Sequence, residues 1–155
     1  MNIFYLDKVI QRCAEYHCDK HVVKMILEYA QILCTVLHHT GKSAPYRPTH
    51  VRHPCVLWAG ESLENWEWLC DLAKALNEEY KFRFEKKINH KSYDIILGLQ
   101  TPDLPRLGLT ERPQAMPEEF KISADPITAY RNYYIHGKTK ILEWRKRGAP
   151  EWYQF

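Results

Sequence analysis

Apolar positions recur at helical spacing in two long stretches of this chain. Between His17 and Gly41, the residues Val22, Ile26, Tyr29, Ala30, Leu33 and Leu37 fall three or four apart and make one stripe. His21, Lys24, Glu28, Gln31, Thr35 and His38 make a second, polar stripe on the same stretch. The pattern predicts a long amphipathic helix, with Asp19 able to cap its start and Gly41 to close its end. A second helix is predicted from Pro54, a favoured first helical residue with His53 just outside it, to about Glu85. Val56, Leu57, Leu63, Trp66, Leu69, Leu72, Ala73, Leu76 and Tyr80 supply its apolar stripe. Gly60 interrupts that stripe, for close helix contact or for backbone approach to a ligand. A third helix is predicted with Asp125 as its cap and Pro126 as its first residue, running through ITAYRNYYIHGKTKILEWRKR.

The intervening stretches lack such periodicity. Residues 1–7 are a short apolar run expected to pack the N-terminus against the body, and residues 8–16 look like a short helix. Residues 42–53 form a loop carrying Lys42, Arg47, His50, Arg52 and His53. The proline-rich stretch 86–126 resembles a long covering loop, and a loop of that length inside a compact domain is often functional. The tail, GAPEWYQF, carries three aromatics and is expected to fold back on the body. No strand alternation and no internal repeat is visible. The expected fold is all-α: one compact domain over residues 1–155, with three main helices and a long irregular loop between the second and third.

Composition narrows the class. Apolar residues are 45% and charged ones 26%, which is globular and argues against disorder. A formal charge of +3 is compatible with nucleic-acid binding without requiring it. No apolar run is long enough to span a bilayer, and MNIFYLDK lacks a signal-peptide pattern, so no membrane association is expected. Five cysteines, an odd number placed mostly in helical patterns, point to reduced intracellular thiols. Five Trp and ten Tyr are more than a helical core of this size needs, which leaves room for a stacking surface.

Three constellations could carry chemistry. Cys13, His17 and His21 lie four residues apart, with Cys18 nearby, and i,i+4 pairs on a helix can hold a metal. No CxxC or HExxH accompanies them, and His50, His53 and Cys55 are unplaced as a fourth ligand. A structural histidine pair is the commoner explanation. Cys18, beside His17 and His21, could be an activated nucleophile, whereas Cys34 and Cys70 fall on apolar faces and look like inert thiols. The third is an amine nucleophile with a carboxylate partner, in which Glu28 is either one member of an ordinary ion pair with Lys24 or part of an active-site wall.

At this third constellation the chain resembles a known family, the bacteriophage pyrimidine-dimer DNA glycosylases with abasic-site lyase activity. Asp19-Lys20-His21, followed by Glu28, resembles that family's first catalytic helix, and His39, Gly41 and Lys42 resemble its end. Pro48-Thr49 and Ala59-Gly60 with the helix that follows are similar to its second helix. Tyr130-Arg131-Asn132-Tyr133-Tyr134, with Gly137-Lys138 after it, resembles its aromatic C-terminal segment. The chain is also similar to proteins of large DNA phages that carry the HCDKHVVKMILE stretch.

The resemblance implies a DNA-base-processing enzyme that attacks C1′ of a nucleotide with its N-terminal α-amine, forms a Schiff base and cuts the strand by β-elimination. Asn2 is too large for ordinary removal of the initiator methionine, so the Met1 amine falls at the nucleophile position. Glu28 falls at the position of the assisting carboxylate, and His21 would orient the site or contact phosphate. An α-amine suits the role, since its reference pKa near 7.7–8 leaves roughly a tenth of it neutral at pH 7. Leu27 and Gln31 stand where the family carries positive charge. Lys20, Lys24, Arg47, Arg52 and Lys138 are then the phosphate-contact candidates, with Tyr130, Tyr133, Tyr134 and Trp152 as candidates to line a DNA groove or hold a flipped base. The implied partner is DNA, double-stranded by analogy, no metal or other cofactor is needed, and the expected location is the cytoplasm, of the host cell if the chain is phage-encoded. Two readings stand beside this one. The scaffold is a non-catalytic DNA-binding module or a DNA-base-modifying enzyme, or it is a zinc-dependent hydrolase or zinc-stabilised domain built on Cys13, His17 and His21.

Overall fold

The long amphipathic stretch folds as a helix over Asp19–His39 (α2) that lies at the centre of the molecule. The computed structural model describes residues 1–154, and no strand occurs among them. Before α2 comes α1 (Ile10–Tyr16); after it come α3 (Pro54–Ala59), α4 (Leu63–Arg83), α5 (Lys91–Leu97) and α6 (Pro126–Asn132). α2 packs against α3, α4 and α5, and α1 packs against α4. The apolar stripe of α2 is buried as its spacing predicts. The polar stripe is not a solvated face: His21 is 5% exposed, Glu28 8% and Thr35 0%. Burying such groups is costly unless each finds a partner: Thr35 bonds Gln31 and Thr49, while the partners of Glu28 and His21 come from the two ends of the chain.

The caps of α2 differ in one respect from the sequence reading. Gly41 does follow the helix end, with φ +78°, and its N–H donates to the His38 carbonyl at 3.1 Å. Asp19 is the first helical residue rather than the cap, which is Cys18 and has no side-chain bond. The Asp19 carboxylate is instead taken by Arg83 Nη1 (3.2 Å) and by the Arg145 N–H (2.9 Å), while its own N–H donates to the Glu143 carbonyl at 2.8 Å.

The second predicted helix is two. It breaks after Ala59 and restarts at Leu63, because Ser62 caps α4 by accepting from the Asn65 N–H (3.1 Å). The Ser62 hydroxyl donates to the Gly108 carbonyl (2.8 Å), and Leu63 N–H donates to the Pro105 carbonyl (2.9 Å). The apolar stripe runs on across the break, so periodicity alone joined the two pieces. A Cβ on Gly60 would meet the Val36 side chain at 3.5 Å, an ordinary contact, so close packing does not demand glycine there.

The long loop is less irregular than expected, since it contains α5 and a 3-10 turn at Glu118–Phe120. The third helix is much shorter than predicted. Asp125 caps it by accepting from the Thr128 N–H (3.0 Å), but α-helix ends at Asn132 and gives way to a π turn, Tyr133–Gly137, and a 3-10 turn, Thr139–Ile141. The wider turn lays the Tyr133 ring against Gly137, where a Cβ would fall 2.5 Å from Cδ2 of that ring. It also carries Tyr134 into the core. Trp152 packs on Tyr16 and Tyr134 and Tyr153 on Trp144, so the tail does fold back; its last aromatic, Phe155, lies outside the described residues.

Ile3, Phe4 and Leu6 join the same apolar cluster as α2 and α4. Among the described residues no helix is long and apolar enough to cross a membrane. A buried ion cluster fastens one side of this core. Arg83, 0% exposed, donates through Nε to Glu79 (2.8 Å), through Nη1 to Asp19 (3.2 Å) and the His17 carbonyl (2.6 Å), and through Nη2 to the Glu15 carbonyl (2.7 Å). Arg147 adds a second cation on Glu79, with Nε at 3.1 Å. The cluster thereby joins α1, α2, α4 and the segment after Leu142.

Candidate active site

Two and a half turns along α2 from Asp19, Glu28 meets the start of the chain. Its Oε2 accepts from the Asn2 N–H at 3.0 Å and lies 3.7 Å from the Met1 amine. Its Oε1 is 3.5 Å from Lys24 Nζ, one turn earlier on the same helix. The Met1 side chain is only 2% exposed, whereas the residue as a whole is half-buried, so the part of Met1 open to solvent is its backbone, which carries the amine. The thioether anchors the terminus and the amine stays accessible.

Asn2 fixes that terminus. Its Oδ1 accepts from the Ile3 N–H (2.8 Å) and the Tyr130 hydroxyl (2.9 Å), and its Nδ2 donates to the Ala115 carbonyl (2.8 Å). Ala115 N–H in turn donates to the Tyr130 hydroxyl at 3.2 Å. Asn2 carries no periodic signal and the sequence reading missed it as a site residue; only its place beside the terminus marks it.

His21 stands one turn before Lys24. Its ring stacks on Phe4 with centroids 4.3 Å apart, and Nδ1 is 2.6 Å from the Tyr134 hydroxyl. Burial, helped by His17, Lys138 and Lys24, pushes its pKa down to about 3, so the imidazole is neutral. The Cys18 N–H donates to the Tyr134 oxygen at 3.4 Å, which leaves the phenolic proton to be given to Nδ1. The neutral ring then carries its own proton on Nε2, which has no protein partner among the described residues yet is not enclosed. A buried, neutral His21 is an orienting donor. Of the two roles named for it, contact with phosphate would then be made by a neutral N–H and not by a cation.

Tyr130 and Tyr134 are corrected outright as DNA-contacting residues. They are 1% and 0% exposed, and burial raises both pKa values, keeping the phenols protonated and donating inward to Asn2 and His21. They position the terminus and the imidazole, and their rings cannot meet a nucleic acid. Tyr133 and Trp152 are only half-buried. Lys138 lies on the same side, with Nζ 4.9 Å from the Tyr133 ring and 6.0 Å from that of Phe4, and no carboxylate pairs with it among the described residues.

The other cations divide. Lys20 and Lys24 are exposed on α2 and wall a hollow with Val23, Phe84 and Arg145. Arg47 and Arg52 are exposed on the 42–53 loop. That loop is tied to the far half of α2, through Thr49 N–H to Thr35 Oγ1 (3.1 Å) and His38 Nε2 to the Tyr46 carbonyl (2.9 Å). Arg52 adjoins His53, whose Nδ1 accepts from the Cys55 N–H (3.1 Å) and whose pKa is lowered by burial and by the nearby Met1 amine and His50. His53 is therefore a neighbour of the amine that the sequence had offered only as an unplaced ligand.

The metal and thiol constellations do not assemble. Cys13 donates to the Phe4 carbonyl (3.4 Å) and accepts from the Leu6 N–H (3.4 Å), while His17 bonds the Cys13 carbonyl (2.6 Å) and the Tyr29 hydroxyl (3.4 Å). Among the described residues no three His, Cys, Asp or Glu side chains are grouped to hold a metal ion. Burial raises the pKa of every cysteine, Cys18 included, to about 11 at Cys13 and about 12 at Cys55 and Cys70, so none is poised as a thiolate.

Fold and site together define an all-helical protein whose N-terminal amine faces a carboxylate on its central helix. No family model, curated protein or solved structure matches the chain.

Proposed function

We propose that the chain is a DNA-base-processing enzyme, a glycosylase and abasic-site lyase working through a Schiff base on the Met1 amine. The observation that carries this reading is the 3.7 Å approach of that amine to Glu28, with the Met1 side chain buried and its backbone open. In its neutral form the amine attacks C1′ of the sugar. At a damaged nucleotide the base departs with the C1′–N bond electrons and a proton, and the C1′–O4′ bond then breaks as the amine nitrogen's lone pair moves in, O4′ taking up a proton as the ring opens; at an abasic site the aldehyde loses its oxygen as water. Either route gives an imine at C1′. The Glu28 carboxylate then takes a proton from C2′, the electrons form a C1′–C2′–C3′ conjugated system, and the C3′–O bond breaks. The phosphate leaves on the downstream fragment, and water hydrolyses the imine to return the amine. His21, two turns before Glu28 on α2, supplies a fixed neutral donor, and Lys20, Lys24, Lys138 and Arg52 are the candidate phosphate contacts.

Borohydride trapping tests the reading. An oligonucleotide with one abasic site should give a covalent protein–DNA band that maps to Met1, and a form extended at the N-terminus should give none. DNA binding without a band would leave a binding module and end the Schiff-base reading. Salt should weaken binding steeply in either case.

A further inference from the structure

Arg112 is out of keeping with the other cations of this protein. Its guanidinium carbon sits 3.8 Å from the Tyr5 ring centroid, 4.1 Å from Trp68 and 5.0 Å from Trp58. The aromatic rings cover its faces, and burial lowers its pKa. Yet it makes no hydrogen bond or ion pair among the described residues, and its Nε is fully buried without a partner. Cation–π contact stabilises a guanidinium across its faces, but the N–H donors lie in its plane and need acceptors. Arg83, more deeply buried, has all of its nitrogens engaged.

Arg112 lines a cavity of about 780 Å3, within the usual range for small-molecule sites. Leu57 and Ile122 give it apolar wall. Glu61 and Glu111 also line it. Glu61 spends one oxygen on the Thr110 hydroxyl (2.9 Å), and Glu111 makes no bond among the described residues. Lys121 is paired with Glu118. With Lys121 taken by Glu118, the two carboxylates and Arg112 leave the wall with a net negative charge, which disfavours a bare phosphate. What the wall offers is a forked donor, free carboxylate acceptors and apolar surface for a flat ring.

We propose that this cavity binds the lactam edge of a nucleobase, as in guanine or thymine, with Arg112 donating to the ring carbonyl and Glu111 and Glu61 accepting from the adjacent N–H groups. Arginine on a base carbonyl and a carboxylate on a base N–H are the pairings geometry favours, whereas adenine has no carbonyl to offer. The cavity lies beside the amine site: Pro113 and Gln114 line it, and the Tyr130 hydroxyl that holds Asn2 donates to the Pro113 carbonyl at 3.2 Å. The inference stands on the surroundings of Arg112 and rests on the DNA reading only for the base being one extruded from a strand rather than a free nucleoside.

The Trp58 indole N–H, followed by NMR in the full chain, reads occupancy. Guanosine, thymidine, adenosine, inorganic phosphate and short single strands with one central dG or dA are the probes. Guanosine and thymidine, or the dG strand, should shift the signal saturably, with the adenine counterpart at least about tenfold weaker. A response to the strand alone identifies an extruded base; a response to nucleosides identifies a free one. Arg112→Lys keeps the cation and loses the fork, and Glu111→Gln changes an exposed side chain that folding does not need. Each should weaken guanosine or dG binding by about tenfold. Equal binding of adenine, the same shift from phosphate alone, loss-free binding by Glu111→Gln, or no saturable shift with any probe would each overturn the proposal. Abasic-site trapping on the unsubstituted protein is read separately: its failure with guanine binding intact ends the amine chemistry and leaves this site, and the reverse leaves the amine chemistry without it.

Discussion

Two carboxylates on the same helix meet cations in contrasting arrangements. Asp19, at the start of α2, belongs to a cluster with Arg83, Glu79 and Arg147 in which every charged group has several partners and Arg83 is 0% exposed. Glu28, farther along, has the Asn2 N–H at 3.0 Å, an exposed lysine at 3.5 Å and a terminal amine at 3.7 Å. The first arrangement is saturated. The second keeps slack: one long contact to an amine that stays open to solvent. A cation in a saturated cluster cannot act on anything else, while an amine held near a carboxylate without being consumed by it can. The comparison separates, by counting partners, ion pairs that are saturated from one that keeps the freedom the proposed chemistry needs.

The contrast predicts unequal responses in stability. Arg83→Met should lose about 3–5 kcal/mol in urea unfolding, because it strands Glu79 and Asp19 without their buried partner; a loss under about 1 kcal/mol would mean the cluster does not fasten the fold. Acid should act next. His17, whose carbonyl accepts from Arg83, has its folded pKa pushed down to about 4 by burial. The unfolded chain binds that proton near pH 6.5 and the folded chain does not. Stability is therefore full above pH 6.5 and falls as pH drops toward 4, by roughly 3 kcal/mol from this histidine. His21, with a folded value of about 3, adds loss of the same sign. His17→Asn should flatten that slope, and an unchanged slope would assign it to other groups. The smallest effect on stability belongs to Glu28→Gln, within about 1 kcal/mol, since the amide still accepts from Asn2 and the Lys24 pair is exposed. The same change should cut borohydride trapping by at least about a hundredfold. A large stability loss with trapping intact would make Glu28 a second structural carboxylate and erase the distinction.

The sequence carried the parts of this picture that are local. The stripes of α2, the Asp125–Pro126 start of α6 and the Gly41 ending are all written within a few residues. The pairing of Met1 with Glu28 came from likeness to a family; the spacing of residues did not supply it. What was not legible depends on distant partners. Ser62 starts a new helix because residues 105–110 bond to it, and the same apolar period covers both sides of that break. Tyr130 and Tyr134 looked like surface aromatics because nothing in their neighbourhood announces Asn2 and His21 as their hydrogen-bond partners. Arg112 carries no signal in the sequence, since only the fold sets three rings around it.

The ties between Asp19 and residues 143–145 carry a consequence for synthesis. Translation is vectorial, and the first turn of α2 emerges from the ribosome long before the backbone that completes it. The Met1 terminus likewise waits for Ala115 and Tyr130 before it is held. In a growing chain the first turn of α2 and the Met1 terminus therefore stay without these partners until the segments that supply them have been made.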